Sequence, residues 1–264
     1  FVLGLLAVLI GFMKLVNISN NSKPANNVKS YIVQSNDFEH LNAVMSANGV
    51  PVSHHLKVIN AVAAELTERQ KSALTDTHGF NIFDNYSVEL AGDNNGRAVG
   101  KRRWQPLATV VDAISADSAH AVNNFGDGVT IGFLDTGLDQ LQGTSTGLGL
   151  STDLYGRDKF WGTYDAINNS ISNYSDEDSG HGTHVASIAG NADYDVYGKV
   201  YGVAPNAALV GIKAFDQEGK ATYADVIRGI DWALQVKDDI NLRVLNMSFS
   251  GPVRSYYWQD PLNQ

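Results

Sequence analysis

The second half of the sequence alternates short, almost continuous apolar runs with one clear helical pattern. Residues 129–134, 208–215 and 242–247 form the apolar runs, which are typical of strands covered on both faces. Residues 223–236 carry apolar side chains on one side of a helix. Strands that alternate with helices predict βαβ units, and hence an α/β fold with a parallel sheet. Such sheets bind ligands at the carboxyl ends of their strands.

Residues 29–90 have a different pattern, which predicts a small α+β sandwich in front of the sheet. The predicted order is strand, helix, strand, helix, strand, over residues 29–34, 37–48, 54–66, 67–77 and 80–90. Asp37 is placed to cap the first helix, and Thr67 forms a capping box with Gln70 at the start of the second.

The segments on either side of this unit are of other kinds. Residues 1–28 begin with an apolar stretch of signal-peptide length and continue with polar residues, which predicts a signal-like leader and a secreted protein, extracellular or periplasmic. No basic segment precedes the stretch, so we expect a clipped start; a retained membrane anchor and a buried core helix are the alternatives. Residues 91–105, rich in Gly, Asn and basic residues, predict a linker before a larger domain that starts at residues 106–264.

Charge and cysteine content exclude several classes of protein. The net charge of −9 disfavours a nucleic-acid partner, because phosphate binding needs a basic face. The sequence contains no cysteine, which excludes disulfides, a cysteine nucleophile and thiolate metal sites.

Two titratable residues lie where the predicted sheet would bind a ligand. Asp135 ends the first apolar run and is followed by Thr136 and Gly137; taken alone, it could equally cap the next turn. His181 stands in Gly-His-Gly-Thr-His, and the small residues that follow predict a helix packed closely on its neighbours. Together, His and Asp supply a general base and the carboxylate that orients it.

A third segment, residues 245–252, ends a strand with small residues and a free edge. Such an edge can pair with an extended peptide through main-chain hydrogen bonds. On its own the segment would be an ordinary strand end before a turn that Pro252 bounds.

In their order along the chain, the three segments resemble the signatures of subtilisin-like serine proteases: Asp135-Thr136-Gly137, His181-Gly182-Thr183-His184-Val185-Ala186 and Asn246-Met247-Ser248. The resemblance covers residues 106–264 and implies an α/β fold with a parallel, doubly wound sheet of the subtilisin type, of which the chain holds an incomplete part. Residues 29–90 are similar to the propeptide inhibitor of that family in size, position and element order, which implies a ferredoxin-like α+β domain.

The resemblance implies a role for each site residue. Asp135 would hold the imidazole of His181 in its working tautomer, and His181 would move the proton from a serine to the leaving amine. Ser248, Phe249 and Ser250 would form the strand that pairs with the substrate backbone. The family often has Gly at the position of Ser250, so we expect this side chain to narrow the cleft.

The resemblance also implies binding partners and activation by propeptide cleavage. We expect protein or peptide substrates, the chain's own propeptide as an intramolecular inhibitor, and a monomeric zymogen. Propeptide cleavage is expected between Leu90 and Val129, a window in which Lys101-Arg102-Arg103 is a basic candidate site.

Two residues that the family requires are missing. The nucleophilic Ser, in Gly-Thr-Ser, and an oxyanion Asn follow the Asn246 strand in the family, and neither occurs before Gln264. Ser145 is no substitute, because it precedes His181 and is followed by loop residues. We therefore expect a C-terminally truncated fragment of a serine endopeptidase precursor, inactive as it stands. A non-catalytic pseudoprotease or a propeptide-type inhibitor is the alternative.

A metal hydrolase is a further alternative, because His181 and His184 lie three residues apart near Asp178. The usual helical zinc pair is spaced by four, with a Glu beside the first His, so no cofactor is expected for catalysis. Calcium often stabilises this family. The acidic stretches 176–178 and 193–195 could contribute ligands, but the sequence assigns no calcium site.

Overall fold

The computed structural model describes residues 28–91, 110–139, 149–172, 176–177 and 179–264. The predicted leader, apart from Val28, and the linker residues 92–105, including the basic candidate cleavage site, lie outside these ranges. No helix within them combines the length and the apolar character that a membrane crossing requires.

The first unit is a four-stranded antiparallel sheet with two helices. Its elements are β1 (Lys29–Gln34), α1 (Phe38–Ala47), β2 (Val52–Leu56), β3 (Ala61–Leu66), α2 (Glu68–His78) and β4 (Asn81–Asp84). The strand order β2-β3-β1-β4, with βαββαβ along the chain, is the ferredoxin-like arrangement. The helices cover one face of the sheet, where Tyr31, Leu41 and Leu74 are buried together.

Both helices begin where the sequence predicts. The Asp37 carboxylate accepts a hydrogen bond from the N–H of His40 at 3.0 Å. The Thr67 hydroxyl accepts from the N–H of Gln70, and the Gln70 side chain accepts from the N–H of Thr67, which completes the predicted capping box. Helix α2 ends at His78 and is capped by Gly79, whose φ of 67° is a left-handed conformation that glycine adopts without strain.

Two predicted strands are wrong as single elements. Residues 54–66 are divided between β2 and β3 by a 3₁₀ turn, Lys57–Ile59, followed by Asn60 with a φ of 50°. The left-handed Asn lets the chain reverse, so that β2 pairs antiparallel with β3. Residues 80–90 contain β4 and a separate strand, β5 (Ser87–Leu90), which belongs to another sheet.

The larger domain is built on a five-stranded sheet in which four strands are parallel. Its elements are α3 (Val110–Ala113), α4 (Asp117–His120), β6 (Thr130–Asp135), β7 (Gly137–Leu138), β8 (Phe160–Asp165), β9 (Ser170–Ser172), β10 (Asp176–Glu177), α5 (His181–Gly190), β11 (Ala208–Lys213), β12 (Lys220–Thr222), α6 (Tyr223–Val236), β13 (Leu242–Met247) and β14 (Phe249–Ser250). The strand order is β13-β6-β11-β8-β9, with β9 as an antiparallel edge. The three predicted strands and helix α6 are confirmed, whereas β8 has no counterpart among the predictions.

Helix α6 packs on this sheet closely enough to require glycine at position 229. A Cβ on Gly229 would lie 2.9 Å from Ile212 Cγ2 and 3.0 Å from Leu134 Cδ1. The helix opens with a second capping box, between Thr222 and Asp225.

The same helix is the surface on which the first unit rests. The Asp225 carboxylate accepts a hydrogen bond from Nε2 of His54 at 2.9 Å, and the Asp231 carboxylate accepts one from the N–H of Lys57 at 3.0 Å. One hydrophobic cluster joins side chains of both units: Ile32, Leu56, Val226 and Ile227. The two units therefore share a core.

Replacing Asp225 with Asn should destabilise the protein at pH 7 and much less at pH 3. Burial on its own raises the pKa of this carboxyl, but hydrogen bonds from His54 and Thr222 outweigh burial and lower it overall. The carboxylate thus stabilises the folded state above the unfolded-state pKa of about 4, and this contribution is lost as the pH falls through the folded pKa.

At pH 7 we expect the Asp225→Asn variant to lose about 1–2 kcal/mol of unfolding free energy, measured by urea titration. Asp238→Asn is the matched control, because Asp238 is exposed just beyond the end of α6. Equal losses for the two variants at pH 7 would contradict the expected role of Asp225.

Candidate active site

Asp135 is the last residue of β6 and lies at the carboxyl-end edge of the parallel sheet. Its backbone carbonyl accepts hydrogen bonds from the N–H groups of Ala214 and Phe215, which follow the neighbouring strand β11. Its side chain is fully buried. Oδ1 accepts from the N–H of Thr136 at 2.8 Å and from Nδ1 of His181 at 2.7 Å. The structure thus brings the two predicted residues into direct contact.

His181 is the first residue of α5, and its imidazole lies between the buried Asp135 carboxylate and the backbone of Ala91. Nδ1 faces Asp135, whereas Nε2 lies 3.3 Å from the carbonyl oxygen of Ala91. Because the carboxylate accepts the hydrogen bond from Nδ1–H, the free lone pair of a neutral imidazole lies on Nε2. A carbonyl oxygen only accepts, so Nε2 bonds to Ala91 when the ring carries a second proton, and the neutral tautomer can take up that proton at Nε2.

The Asp135 carboxyl has a raised pKa, because it is buried. Burial raises the pKa of this carboxyl, and the hydrogen bonds from His181 and Thr136 offset burial only in part. Oδ2 is buried without a hydrogen-bond partner among the described residues. A carboxylate that is charged here costs stability, and such groups are concentrated at functional sites.

The small residues after His181 bring α5 against the segment that follows Asp135. A Cβ on Gly182 would lie 2.1 Å from the carbonyl oxygen of Gly137, so a larger residue cannot fit without moving the backbone. Ala186, one turn further along, is fully buried. The predicted close packing of this helix is confirmed.

The two signature segments also hold each other through their threonines. The hydroxyl of Thr136 accepts a hydrogen bond from the N–H of Gly182 at 3.0 Å. The hydroxyl of Thr183 accepts one from the N–H of Asp139 at 2.8 Å. These bonds fix the start of α5 relative to the end of β6.

Glu177 is a further member of the site that the sequence analysis did not identify. Gly180 offers no side chain to cap α5, and Glu177 caps it from β10. Its Oε2 accepts from the N–H and the hydroxyl of Thr183 at 2.9 Å and 3.1 Å, and its Oε1 accepts from the N–H of Ser179 at 3.0 Å. The available signal was an acidic residue shortly before a helix that begins after glycine.

The predicted peptide-binding strand, residues 248–250, lies beside β5. Strand β14 pairs antiparallel with β5, and Phe249 stands opposite Leu90. The N–H of Ala91 continues this pairing by donating to the carbonyl of Ser248 at 2.9 Å. The edge predicted to receive a peptide therefore receives a segment of the same chain.

The other edge of β5 is covered by β12, which the sequence analysis did not predict. Val88 stands opposite Ala221, and the N–H of Leu90 donates to the carbonyl of Gly219 at 3.0 Å. Strand β5 is therefore the middle member of a three-stranded antiparallel sheet, β12-β5-β14.

The other residues that the sequence analysis singled out lie apart from this contact. The side chain of Ser250 is exposed, and His184 is exposed on α5. Ser145 and Asp178 lie outside the described residues. In the part of the chain that is described, no three His, Asp or Glu side chains are grouped as metal ligands.

The two acidic stretches considered for calcium are in different situations. Asp178 and the side chain of Asp176 lie outside the described residues, so the calcium prediction for the stretch 176–178 stays a prediction. In the stretch 193–195, the Asp195 carboxylate accepts hydrogen bonds from the N–H groups of Tyr197 and Lys199 in its own turn.

Comparison with known proteins identifies the family. The profile of the Subtilase family matches residues 126–264, which is more than half of the chain. The chain belongs to the subtilase family. Both the predicted family and the predicted subtilisin-type α/β fold are thereby confirmed.

Two curated relatives illustrate how far this subtilase chain can be aligned. Serine protease AprX of Bacillus subtilis is 32% identical over 142 residues, which are 52% of this chain and 29% of AprX. Subtilisin E of the same species is 28% identical over 212 residues, which are 80% of this chain and 48% of subtilisin E. The chain spans less than half of the length of either relative.

A solved structure agrees on the fold of this subtilase. Fervidolysin from Fervidobacterium pennivorans, described as a keratinolytic enzyme related to subtilisin, superposes with a TM-score of 0.58 at 23% identity. The match covers 88% of this chain and 37% of fervidolysin. The matched region includes parts of both the ferredoxin-like unit and the larger domain, because neither of them alone makes up 88% of the chain.

Replacing Asp135 with Asn should change stability with a pH trend opposite to that of Asp225→Asn. Since the folded-state pKa of Asp135 is raised, its protonated form favours folding at low pH, and this advantage is lost as the pH rises through the folded pKa. The unfolding free energy of Asp135→Asn relative to the unmutated chain should therefore increase from pH 3 to pH 7. Urea titrations at both pH values test this; a flat or falling difference would contradict it.

Proposed function

We propose that the complete protein is a serine endopeptidase precursor in which Asp135 and His181 are two members of a catalytic triad. The observation that carries the proposal is the direct contact between Nδ1 of His181 and Asp135 Oδ1, with Nε2 of the same ring 3.3 Å from a peptide carbonyl. Membership of the subtilase family supports the same chemistry. The nucleophile would be a serine that follows the Asn246–Ser248 segment in the complete protein.

In the proposed reaction each residue keeps one task. Nε2 of His181 takes the hydroxyl proton as the serine oxygen bonds to the substrate carbonyl carbon. The imidazolium then gives this proton to the amine that leaves as the peptide C–N bond breaks. Asp135 holds Nδ1 throughout and stabilises the positive charge on the ring. Water completes the cycle by hydrolysing the acyl-enzyme, with His181 again accepting and returning a proton.

Residues 29–90 would act as the inhibitory propeptide of this enzyme. Strand β5 lies between β12 and β14 as an extended peptide substrate would, with main-chain hydrogen bonds along both of its edges. In this arrangement residues 248–250 pair with β5. The carbonyl oxygen of Ala91 lies next to Nε2 of His181. A substrate would compete with β5 for the same two edges.

Export and assembly complete the proposal. The leader at residues 1–28 would direct the precursor out of the cytoplasm, as a cleaved signal or as a retained anchor. The partners would be protein or peptide substrates and the chain's own propeptide, in a monomeric enzyme.

Activity of the complete gene product tests this function. Hydrolysis of acetyl-Ser-Val-Glu-Leu-Ala-p-nitroanilide should be abolished by a fluorophosphonate that labels the serine, and should persist in a chelator. Asp135→Asn should lower kcat by about four orders of magnitude, because the imidazole loses the acceptor that fixes its tautomer.

His184→Ala is the matched control, since His184 is exposed on the same helix as His181. It should retain activity, whereas a metal hydrolase that used both histidines would lose it. A complete protein without serine-dependent hydrolysis would instead be a pseudoprotease or a propeptide-type inhibitor.

We expect the propeptide to be cut between Ala91 and Gly92, because the carbonyl of Ala91 is the one next to Nε2 of His181. N-terminal sequencing of the processed protein should begin at Gly92. A first cut after Arg103 would contradict this register, and would indicate processing by another protease at the basic site. In an Asp135→Asn precursor the cut at Ala91 should be strongly slowed.

A further inference from the structure

The residue just before β5 is held by a contact that the pairing with β12 and β14 does not explain. The carbonyl of Tyr86 accepts a hydrogen bond from the N–H of Tyr223, the first residue of α6, at 2.8 Å. The two phenol rings meet edge to face, with centroids 5.8 Å apart and planes at 80°. The guanidinium of Arg254 lies over the Tyr86 ring, 5.5 Å from its centroid.

The surface that receives the Tyr86 ring is held in place by the larger domain itself. Tyr223 is only 5% exposed, and its hydroxyl donates to Asp260 Oδ2 at 3.0 Å. Asp260 is itself buried and accepts from the N–H of Leu262 at 2.9 Å. Neither of these hydrogen bonds involves the ferredoxin-like unit. The Tyr223 hydroxyl is therefore held by the larger domain alone.

Tyr86 lies in register with the proposed cleavage point. It precedes Ala91 by five residues, and Ser87 between them is already paired with Thr222 of β12. The chain from Tyr86 to Ala91 is thus bound to the larger domain at consecutive main-chain positions. A peptide that replaced β5 in the same register would bring its own side chain to the Tyr223–Arg254 surface.

We propose that Tyr223 and Arg254 form a binding subsite for an aromatic side chain five residues upstream of the residue whose carbonyl is attacked. The inference rests on the proposed function and names a substrate class for it, namely peptides with Tyr or Phe at that position. A cation over a ring and an edge-to-face ring contact both favour an aromatic group over an aliphatic one. Each is worth a factor of about two to five at a partly exposed site.

The first test needs no catalysis and uses the chain as it stands. Hydrogen exchange of the Leu90 and Ala91 amides reports how firmly β5 is held, since these groups donate to Gly219 and Ser248. Tyr86→Ala removes both ring contacts and should speed this exchange about tenfold, whereas Arg254→Ala removes one of them and should speed it about threefold. Tyr86→Phe should change it by less than about twofold, because the ring contacts with Tyr223 and Arg254 do not use the Tyr86 hydroxyl.

Arg243→Ala is the matched control, because Arg243 is an exposed arginine on β13, the strand that precedes β14 in the chain. It should leave the exchange unchanged. Equal exchange in all four variants and in the unmutated chain would overturn the subsite, whatever the activity of the complete protein.

The second test carries the subsite to substrates. The processed complete protein is given acetyl-Tyr-Ser-Val-Glu-Leu-Ala-p-nitroanilide and two relatives in which Phe or Ala replaces the Tyr. We expect kcat/KM for the Tyr and Phe peptides to exceed that for the Ala peptide about tenfold, and this ratio should fall about threefold in Arg254→Ala, which keeps the ring contact with Tyr223. Equal values in the unmutated protein would overturn the inference. No hydrolysis of any peptide would overturn the proposed function, and the exchange result would then decide whether the subsite binds the chain's own Tyr86.

Discussion

The hydrogen bond between the buried Asp135 carboxylate and the His181 imidazole sets the geometry of the whole cleft edge. A carboxylate inside a protein is tolerated only where donors hold it, and here the donors come from the next residue and from the first residue of α5. The helix must therefore approach the end of β6 very closely. That approach leaves no space for a side chain at position 182, and it puts Thr136 within reach of the helix backbone. Glu177 also holds this helix end, through the N–H of Thr183.

A second dependence runs through the start of α6. Two of its first N–H groups find their acceptors outside the larger domain: Tyr223 donates to the carbonyl of Tyr86, and Ala224 donates to the side chain of Asn85 at 2.9 Å. The first unit therefore completes a helix of the second, besides contributing to a common core. Such reciprocal satisfaction explains how a small unit is placed with the accuracy that β5 requires.

Local chemistry made part of this structure predictable from the sequence. The capping box at Thr67, the helical face of residues 223–236 and the fully covered strand that ends at Asp135 are each specified by neighbouring residues, so their predictions are confirmed. The ordered signatures predicted that Asp135 and His181 act together, and the structure places the two side chains in contact. Local patterns could not show that residues 80–90 divide into two strands, because the alternation is continuous across the break.

The break between β4 and β5 is determined by residues that are distant in the sequence. The N–H of Asn85 donates to the carbonyl of Ser30 at 3.1 Å, and the residues after Tyr86 pair with β12 and β14 from the other half of the chain. The role of Glu177 was hidden for the same reason, since its acceptor atoms matter only once α5 has folded beside β10. Strand β8, in which Gly and Thr interrupt an aromatic run, is defined by its pairing with β11.

The position of β5 between two strands of another unit has a consequence for timing. Cutting the chain after Ala91 would break one covalent bond, but it would remove none of the main-chain hydrogen bonds of β5 and leave the contact of His54 with Asp225 in place. Before the cut, the tether gives the strand a high effective concentration at its site; afterwards occupancy follows ordinary mass action. In the proposed precursor, hydrolysis and release of β5 would therefore be separate steps: the first would proceed at the same rate at any dilution, whereas the second would be completed only as the released unit is diluted, degraded or bound elsewhere.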